Sequence, residues 1–170
     1  MGFVIYLFRS NRIKFTMSKQ TYIRDRRSPI PLNEGTSKSM SSNKGKDTKP
    51  ELILRKALRD NHMSGYRVQW KIPGKPDIAY PGRHIAIFVN GCFWHRCPHC
   101  ALPLPKNNAE FWKKKFESNV ERDRRNTMTL ESEGWTVITI WECEIKADLP
   151  KVVQEISEKY NADKKTDLDQ

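Results

Sequence analysis

The cysteines constrain the fold of this chain more than any other feature of its sequence. Three of them lie within residues 90–100, together with two histidines and two adjacent aromatic residues, directly after the apolar run 84–89. The remaining cysteine follows much later, at position 143. Four thiols are the number that a closed tetrahedral zinc site needs. We therefore expect the fold to return to this loop and to hold a structural zinc ion on Cys92, Cys97, Cys100 and Cys143.

Other arrangements of these residues stay open. His99 could replace Cys97 or Cys100 as a ligand, and the cysteines could also be buried free thiols. Disulfides would be expected in a secreted protein, which begins with a signal peptide. The short apolar run 1–8 is not interpreted as a signal peptide, because it has no basic leader before it and no small-residue cleavage site after it. Disulfides are therefore not expected. No segment approaches the roughly 18 apolar residues of a membrane span. We expect a cytoplasmic protein that binds no membrane.

The charge of the chain indicates a polyanion partner. Lysine and arginine number 31 against 20 acidic residues, for a net charge of +11. Nucleic acid is the first candidate for such a basic chain, and a merely solvated basic surface is the alternative. At 170 residues the chain is long enough for one domain with a hydrophobic core.

The N-terminal part of the chain differs in composition from the rest. Residues 1–36 are interpreted as a basic, flexible extension, within which Met17 is an alternative start. Because Ser, Asn, Gly and Lys dominate residues 37–48, an extended basic arm is expected there, at the beginning of a domain over 37–148. A C-terminal helix and polar tail follow over 149–170. The arm residues that could contact a nucleic acid are Lys38, Met40, Lys44 and Lys46.

Hydrophobic periodicity and turn residues predict an α/β fold. Helices are expected over 49–62, 108–133 and 149–160, and strands over 66–70, 77–80, 84–89 and 135–141, the first three strands as a meander. Thr48 and Glu51 form a capping box at the first helix, so Glu51 can be the capping acid, a site residue, or both. The strand 84–89 is nearly all apolar, as a central strand covered on both faces would be.

Two polar residues near the predicted strands could carry chemistry. Asp77 enters a strand directly after a turn, where its carboxylate could bind magnesium beside a scissile phosphate, although an acid at a turn needs no function. His95 could deprotonate a water molecule, or be a further zinc ligand or a plain loop residue. Phe93 and Trp94 are core residues if they are buried and wedges that can unstack a base step if they are exposed.

Several segments together resemble the very-short-patch-repair (Vsr) DNA mismatch endonucleases. The resemblance extends in order from about Ser37 to Ile145, and the Gly-Cys-Phe-Trp-His core with a distal Trp-Glu-Cys is its most specific part. The matching segments are Pro73–Asp77, Ile87–His95, Glu110–Trp112, Asn119–Asn126, Gly134–Val137 and Trp141–Cys143.

The resemblance implies a restriction-endonuclease-like fold, with a central mixed β-sheet flanked by helices, in a bacterial-type enzyme. Such an enzyme nicks one DNA strand next to a T·G mismatch left by deamination of 5-methylcytosine. Its partners would be mismatched duplex DNA and mismatch-repair proteins, and it would act as a monomer. The implied roles are magnesium binding for Asp77 and the Val89 carbonyl, catalysis for His95, support for Glu51, intercalation for Phe93, Trp94 and Met40, and structural zinc binding for the four cysteines.

This chain departs from the family pattern at two places. Val89-Asn90 stands where a well-known member has Thr-His, so a second histidine near the scissile phosphate is missing. Asn90 can hydrogen-bond a phosphate or water but cannot exchange a proton at neutral pH. At the zinc site, Cys97 stands where that member has a histidine. Cys100 lies one residue later than the corresponding cysteine of that member. A sequence-specific restriction or nicking endonuclease and a catalytically weakened zinc-stabilised DNA-binding module therefore remain alternative functions.

Overall fold

The structure is a computed structural model that describes residue 31 and residues 33–162. Most of the predicted N-terminal extension, including Met17, and residues 163–170 of the predicted tail lie outside the described residues. The described elements belong to one compact unit. They are α1 (Glu34–Ser41), α2 (Lys49–Asp60), β1 (Ile78–Tyr80), a short 3-10 helix (Pro81–Arg83), β2 (Ile85–Asn90), α3 (Ala109–Ser132), β3 (Thr136–Trp141), α4 (Glu142–Ala147) and α5 (Leu149–Ala162).

A mixed three-stranded sheet lies at the centre of the part that the structure describes. The strand β2 pairs antiparallel with β1, with Ile87 opposite Ile78, and parallel with β3, with Ile87 opposite Ile138. Ile85 and Ile87 are fully buried, as the apolar run 84–89 predicted for a central strand. The predicted mixed sheet between helices, expected of a restriction-endonuclease-like fold, is thus confirmed.

The helices flank the sheet and complete its core. Helices α2, α4 and α5 pack against one another, and α3 packs against β3. Leu54 and Leu58 of α2 meet Ile156 of α5 in one cluster with the apolar side chains of the strands, all three with no exposed surface. Each such burial stabilises the fold by about 1.5–3 kcal/mol. None of the helices between residues 33 and 162 combines the length and apolar character needed to cross a membrane.

The segment 66–70 does not form the predicted strand. It makes one isolated bridge, between Arg67 and Ala79, and the backbone of Gln69 adopts a left-handed conformation with φ of 49°. A left-handed residue interrupts an extended ladder, so the alternation of side chains along this segment does not continue into a strand. Val68 and Trp70, which the period-two pattern would have buried on a sheet face, are exposed.

The segment 37–48 is not extended throughout, because α1 occupies its first five residues and begins before it. The predicted domain boundary between residues 36 and 37 therefore falls inside α1. Glu34 in the first turn and Lys38 in the last turn oppose the charges of the helix dipole, which favours a helix here.

Helix α4 was not predicted. The Trp141 N–H at its beginning donates to the Glu144 carboxylate at 2.7 Å, and this bond supports a turn directly after β3. Cys143 lies just past the end of β3, as predicted, and within the first turn of α4.

Candidate active site

An open cavity of about 780 Å³ lies beside the C-terminal end of β2. Its walls come from the loop 42–45, the beginning of α2, the turn before β1, the end of β2 and one side of α3. The cavity brings together seven residues that the sequence analysis singled out, namely Lys44, Glu51, Asp77, Val89, Asn90, Trp94 and His95. Lys38 and Lys46 are exposed and do not line this cavity. The side chain of Met40 is not among those that the structure describes.

The turn before β1 presents Asp77 to the cavity. Lys75 N–H donates to the Ile72 carbonyl at 3.0 Å, and Gly74 has a φ of +76° that L side chains rarely adopt. A Cβ at position 74 would come within 2.9 Å of the Phe88 ring. Glycine therefore allows the turn to pack tightly against β2, which places the following carboxylate at the end of that strand.

The Asp77 carboxylate is only partly hydrogen-bonded. Its Oδ2 accepts the Val89 N–H at 2.7 Å, whereas its Oδ1 is 3.5 Å from the Gln69 side-chain amide. Burial and, to a smaller extent, the nearby charge of Glu51 raise the Asp77 pKa to about 6, against the opposing effect of the Val89 hydrogen bond. A mostly buried carboxylate with unused acceptor capacity fits a divalent cation with hard oxygen ligands.

Val89 contacts Asp77 through its backbone. Because β1 begins only at Ile78, the Val89 N–H bonds a side chain at this position instead of a neighbouring strand. In a strand the N–H and C=O of one residue point toward the same neighbour. The Val89 carbonyl therefore faces the side of β2 on which Asp77 lies.

Glu51 is the capping acid of α2, one of the roles that the sequence allowed. It is 3% exposed, and its Oε1 accepts the Thr48 N–H and hydroxyl at 3.3 and 2.7 Å. Its Oε2 accepts the Asp47 N–H at 3.0 Å and the Arg55 guanidinium at 2.6 Å. Since both oxygens already have donors, Glu51 acts on the cavity mainly through its negative charge beside Asp77.

Arg55 was missed by the sequence analysis. Its side chain is 8% exposed and joins Glu51 to Asp47, which ends the loop 42–47. Its Nε is buried without a hydrogen-bond partner in the part of the chain that the structure describes. The spacing of four residues from Glu51 was the available signal, because it places both side chains on one side of a helix.

His95 pairs with Asp123, a residue of α3 that was not predicted as a site residue. The His95 Nδ1 lies 2.5 Å from the Asp123 Oδ2, and Asp123 Oδ1 accepts from Arg122 at 3.0 Å. Burial raises the Asp123 pKa, but the His95 hydrogen bond and the charges of His95 and Arg122 outweigh it, so the pKa is lowered. An ionised Asp123 can only accept, which places the ring proton on Nδ1 and leaves Nε2 of His95 free to take a proton.

The Asp123 signal was present in the sequence, because this residue lies in the segment Asn119–Asn126 that supported the family resemblance. A second residue of that segment also acts locally. The Asn119 side chain is buried and donates to the Trp94 carbonyl at 3.0 Å, which fixes the loop on α3. Helix α3 therefore orients both the histidine and the aromatic residues of the loop.

Phe93 and Trp94 are half-buried in an aromatic cluster. The Phe93 ring lies 5.1 Å from Trp94, 5.6 Å from Trp112 and 5.0 Å from Phe116, in each case edge to face. These separations fall in the range of favourable aromatic pairs. The two rings are thus neither fully buried core residues nor fully exposed wedges, and Trp94 also lines the cavity.

The four cysteines come together at the end of the sheet. Cys92 follows β2 and Cys143 follows β3, and these parallel neighbours end in register at Asn90 and Trp141. All four thiol sulfurs lie within 4.8 Å of one another, and none forms a disulfide. This donor set fits one tetrahedral metal ion. His99 is largely exposed and lies 3.4 Å from the Glu144 carboxylate, outside the cluster.

Comparisons with known proteins identify similar enzymes. A family model, DNA mismatch endonuclease Vsr, matches residues 32–102. The chain is 40% identical to the type II nicking enzyme V.NaeI of Lentzea aerocolonigenes over 68% of this chain and 72% of that protein. It is 39% identical to the DNA mismatch endonuclease Vsr of Escherichia coli K12 over 65% of this chain and 70% of that protein.

Among the similar solved structures is the catalytic domain of the homing endonuclease I-Bth0305I, with a TM-score of 0.48, 26% identity, and coverage of 69% of this chain and 98% of that one.

Proposed function

The chain belongs to the Vsr family of DNA mismatch endonucleases and is a DNA nicking endonuclease, and on this premise we propose that it nicks one strand next to a T·G mismatch in a magnesium-dependent reaction. The observation that carries the proposal is a single cavity that holds both Asp77 and the His95–Asp123 pair. A carboxylate for a cation and a histidine for a proton are the two groups that metal-assisted hydrolysis of a phosphodiester requires.

Asp77 and the Val89 carbonyl would hold the magnesium ion. When bound, magnesium offsets the negative charge that develops on the scissile phosphate. The proposal draws support from the unused acceptor capacity of Asp77 and from its raised pKa of about 6, both of which indicate a carboxylate that lacks a positive partner. Glu51 adds negative charge that favours a cation at Asp77, while its own oxygens stay bound to α2 and its N-terminal loop.

His95 is the proposed general base. Its Nε2 takes a proton from the attacking water molecule, while the Nδ1–H remains hydrogen-bonded to Asp123. The ionised Asp123 then stabilises the positive charge on the imidazolium and prevents the ring from turning. Asn90, at the position of the missing second histidine, would hydrogen-bond the phosphate from the cavity wall without exchanging a proton.

Recognition of the mismatch would rely on the deformability of the DNA. A mismatched step costs less to unstack than a paired one, and Phe93 and Trp94 lie on a loop fixed by Asn119 beside the cavity. In this proposal one or both rings leave their aromatic neighbours and enter the step, as Met40 does from the arm. Lys38, Lys44 and Lys46 neutralise phosphates without reading the sequence.

Zinc is the proposed metal of the four-cysteine cluster, because four thiolates are ligands of structural zinc sites and the four sulfurs lie within 4.8 Å of one another. The cluster joins the loop after β2 to α4 and so supports the backbone that carries His95. The proposal includes a bacterial-type enzyme that acts as a monomer on DNA in the cytoplasm, alongside mismatch-repair proteins.

The test is a nicking assay with two labelled duplexes that differ only at one base pair. One contains a T·G mismatch within a cytosine-methylation site, and the other is fully paired. We expect a magnesium-dependent nick in the thymine strand of the mismatched duplex alone, which Asp77→Ala abolishes. Cleavage of both duplexes would instead indicate a sequence-specific nicking enzyme, and binding without cleavage would indicate that Val89-Asn90 has cost the chain its activity.

The aromatic wedge needs a separate variant. Phe93→Ala combined with Trp94→Ala should reduce the preference for mismatched over paired DNA when both are compared at equal enzyme concentration. The metal content of the variant serves as the control for an intact loop. An unchanged preference for mismatched DNA would contradict the proposed intercalation of Phe93 and Trp94. It would not contradict the proposal that the chain nicks DNA.

A further inference from the structure

The loop of residues 66–75 carries exposed aromatic and basic side chains that the proposed mechanism does not use. Val68 and Trp70 keep 47% and 38% of their surface exposed, and no acidic residue occurs in the loop. Its exposed cationic residues are Arg67, Lys71 and Lys75. A tryptophan interleaved with positive side chains is typical of surfaces that bind nucleic acids by stacking and by phosphate contact.

The backbone of this loop is held in a defined shape. Arg67 and Ala79 exchange two backbone hydrogen bonds at 2.7 and 2.8 Å, which closes the base of the loop. Within it, Ile72 N–H donates to the Trp70 carbonyl at 2.8 Å. Gln69 and Lys75 have φ values of 49° and 51°, a region that non-glycine residues adopt when the surroundings impose it. The exposed side chains are therefore presented by a fixed backbone.

The loop is continuous with the candidate active site. Gln69 and Lys75 line the cavity, and the Gln69 amide faces the Asp77 carboxylate at 3.5 Å. Trp70 is the next residue after Gln69, one Cα step of about 3.8 Å away. Gln69 thus connects Trp70 to Asp77, and the phosphates of one DNA strand follow one another at about 3.4 Å along the helix axis. A nucleotide close to a phosphate held at Asp77 is therefore the expected neighbour of Trp70.

We propose that the loop 66–75 is a DNA-contact surface in which the Trp70 ring packs on a nucleotide that flanks the nicked phosphate. Arg67, Lys71 and Lys75 contact the phosphates on either side of it. Two observations favour DNA as the occupant, namely the uniform positive charge of the loop and its continuity with the cavity. The assignment rests on the proposed function in one respect, since that function places the scissile phosphate at Asp77.

The first test is single-turnover nicking with enzyme in excess, on the duplex that the unmodified enzyme cleaves. Trp70→Ala should raise the enzyme concentration needed for half-maximal rate about tenfold, the effect of losing one stacked base, and leave the maximal rate within about threefold. Trp70→Phe should restore most of the affinity. All variants should keep the metal content of the unmodified chain, and the melting temperature of Trp70→Ala should fall by no more than the loss of the covered part of the ring accounts for, since Trp70 keeps 38% of its surface exposed.

The second test measures duplex binding without magnesium at several salt concentrations. Lys71→Ala should lower the slope of log affinity against log salt by about one, as the loss of one phosphate contact does. Lys159→Ala, an exposed lysine on α5, is the matched control and should leave the slope unchanged.

The proposal is overturned if Trp70→Ala and Lys71→Ala bind and nick as the unmodified chain does. It is also overturned if Trp70→Ala lowers only the maximal rate, because Trp70 would then act on the geometry of the site and not on DNA affinity. Failure of the proposed function gives a different result. If the unmodified chain nicks both duplexes or neither, mismatch nicking fails, while the binding arm still tests the loop.

Discussion

At the scale of single residues, the buried carboxylate of Asp77 lowers the stability of the fold when it is ionised. Burial raises its pKa to about 6 from the ordinary value of 3.8. The folded chain therefore binds this proton more tightly than the unfolded chain does. The resulting stabilisation is complete below about pH 4 and is lost as the pH rises through 6.

Asp77→Asn removes this titration. Relative to the unmodified chain, we expect the free energy of unfolding of the variant to rise by about 2 kcal/mol between pH 4 and pH 8, because the unmodified chain alone must bury a charge at the higher pH. The measurement is chemical unfolding at pH 4, 6 and 8 without magnesium.

Asp123 provides a control of opposite sign for this experiment. Its pKa is lowered, so its ionised form stabilises the folded chain at neutral pH and that contribution is lost in acid. Asp123→Asn should therefore lose stability relative to the unmodified chain as the pH rises from acid to neutral. Parallel pH dependence of the two variants would contradict the assigned environments.

At the scale of elements, helix α2 begins with a buried ionic network. Glu51 and Arg55 lie one helical turn apart, and their side chains are 4% and 8% exposed. Removing one member of a buried pair leaves the other charge without a partner, which costs more than the pair itself contributes. Through Arg55, the network connects Asp47, in the loop that precedes α2, to Glu51. The negative charge of Glu51 in turn raises the pKa of Asp77.

Arg55→Ala should lower the free energy of unfolding by about 3 kcal/mol, because Glu51 would remain buried without its guanidinium partner. Lys56→Ala removes the neighbouring pair with Asp60, whose side chains are 72% and 57% exposed, and should change stability by less than about 0.5 kcal/mol. Both are measured by chemical unfolding at saturating zinc. Equal effects of the two substitutions would show that burial does not govern the Arg55 contribution.

At the scale of the whole molecule, the four-cysteine cluster joins segments that are far apart in the chain. Cys97 and Cys143 are separated by 46 positions, and their sulfurs lie 3.7 Å apart. A metal ion at this place would restrain both β2 and β3 at the ends from which the candidate active site is built. The free energy of metal binding would then add to the stability of the fold.

Cys143→Ser should abolish stoichiometric zinc binding and lower the melting temperature by about 10 °C, the effect of losing several kcal/mol in a domain of this size. His99→Ala is the matched control, since this residue lies next to Cys100 but outside the cluster. It should retain one zinc ion per chain in metal analysis. Loss of zinc from the His99 variant would mean that the ligand set is wrong.

The sequence by itself determined the parts of the molecule that depend on neighbouring residues. The helices α2, α3 and α5, the buried central strand and the capping role of Glu51 follow from periodicity and capping, which are encoded within a few residues. The four thiols were identifiable as a candidate metal site because such sites are recognised by their ligand types. The family resemblance also pointed correctly to a DNA endonuclease.

Only the tertiary structure decided the features that depend on distant segments. The partner of His95 is 28 positions away on α3, where the family resemblance marked the segment Asn119–Asn126 but not which of its residues contacts the histidine. The period-two pattern of 66–70 predicted a strand, but left-handed backbone at Gln69 and a single bridge to β1 made it a loop beside the cavity. Pairwise contact between distant segments is set by the packing of the whole chain, and a local pattern carries no record of it.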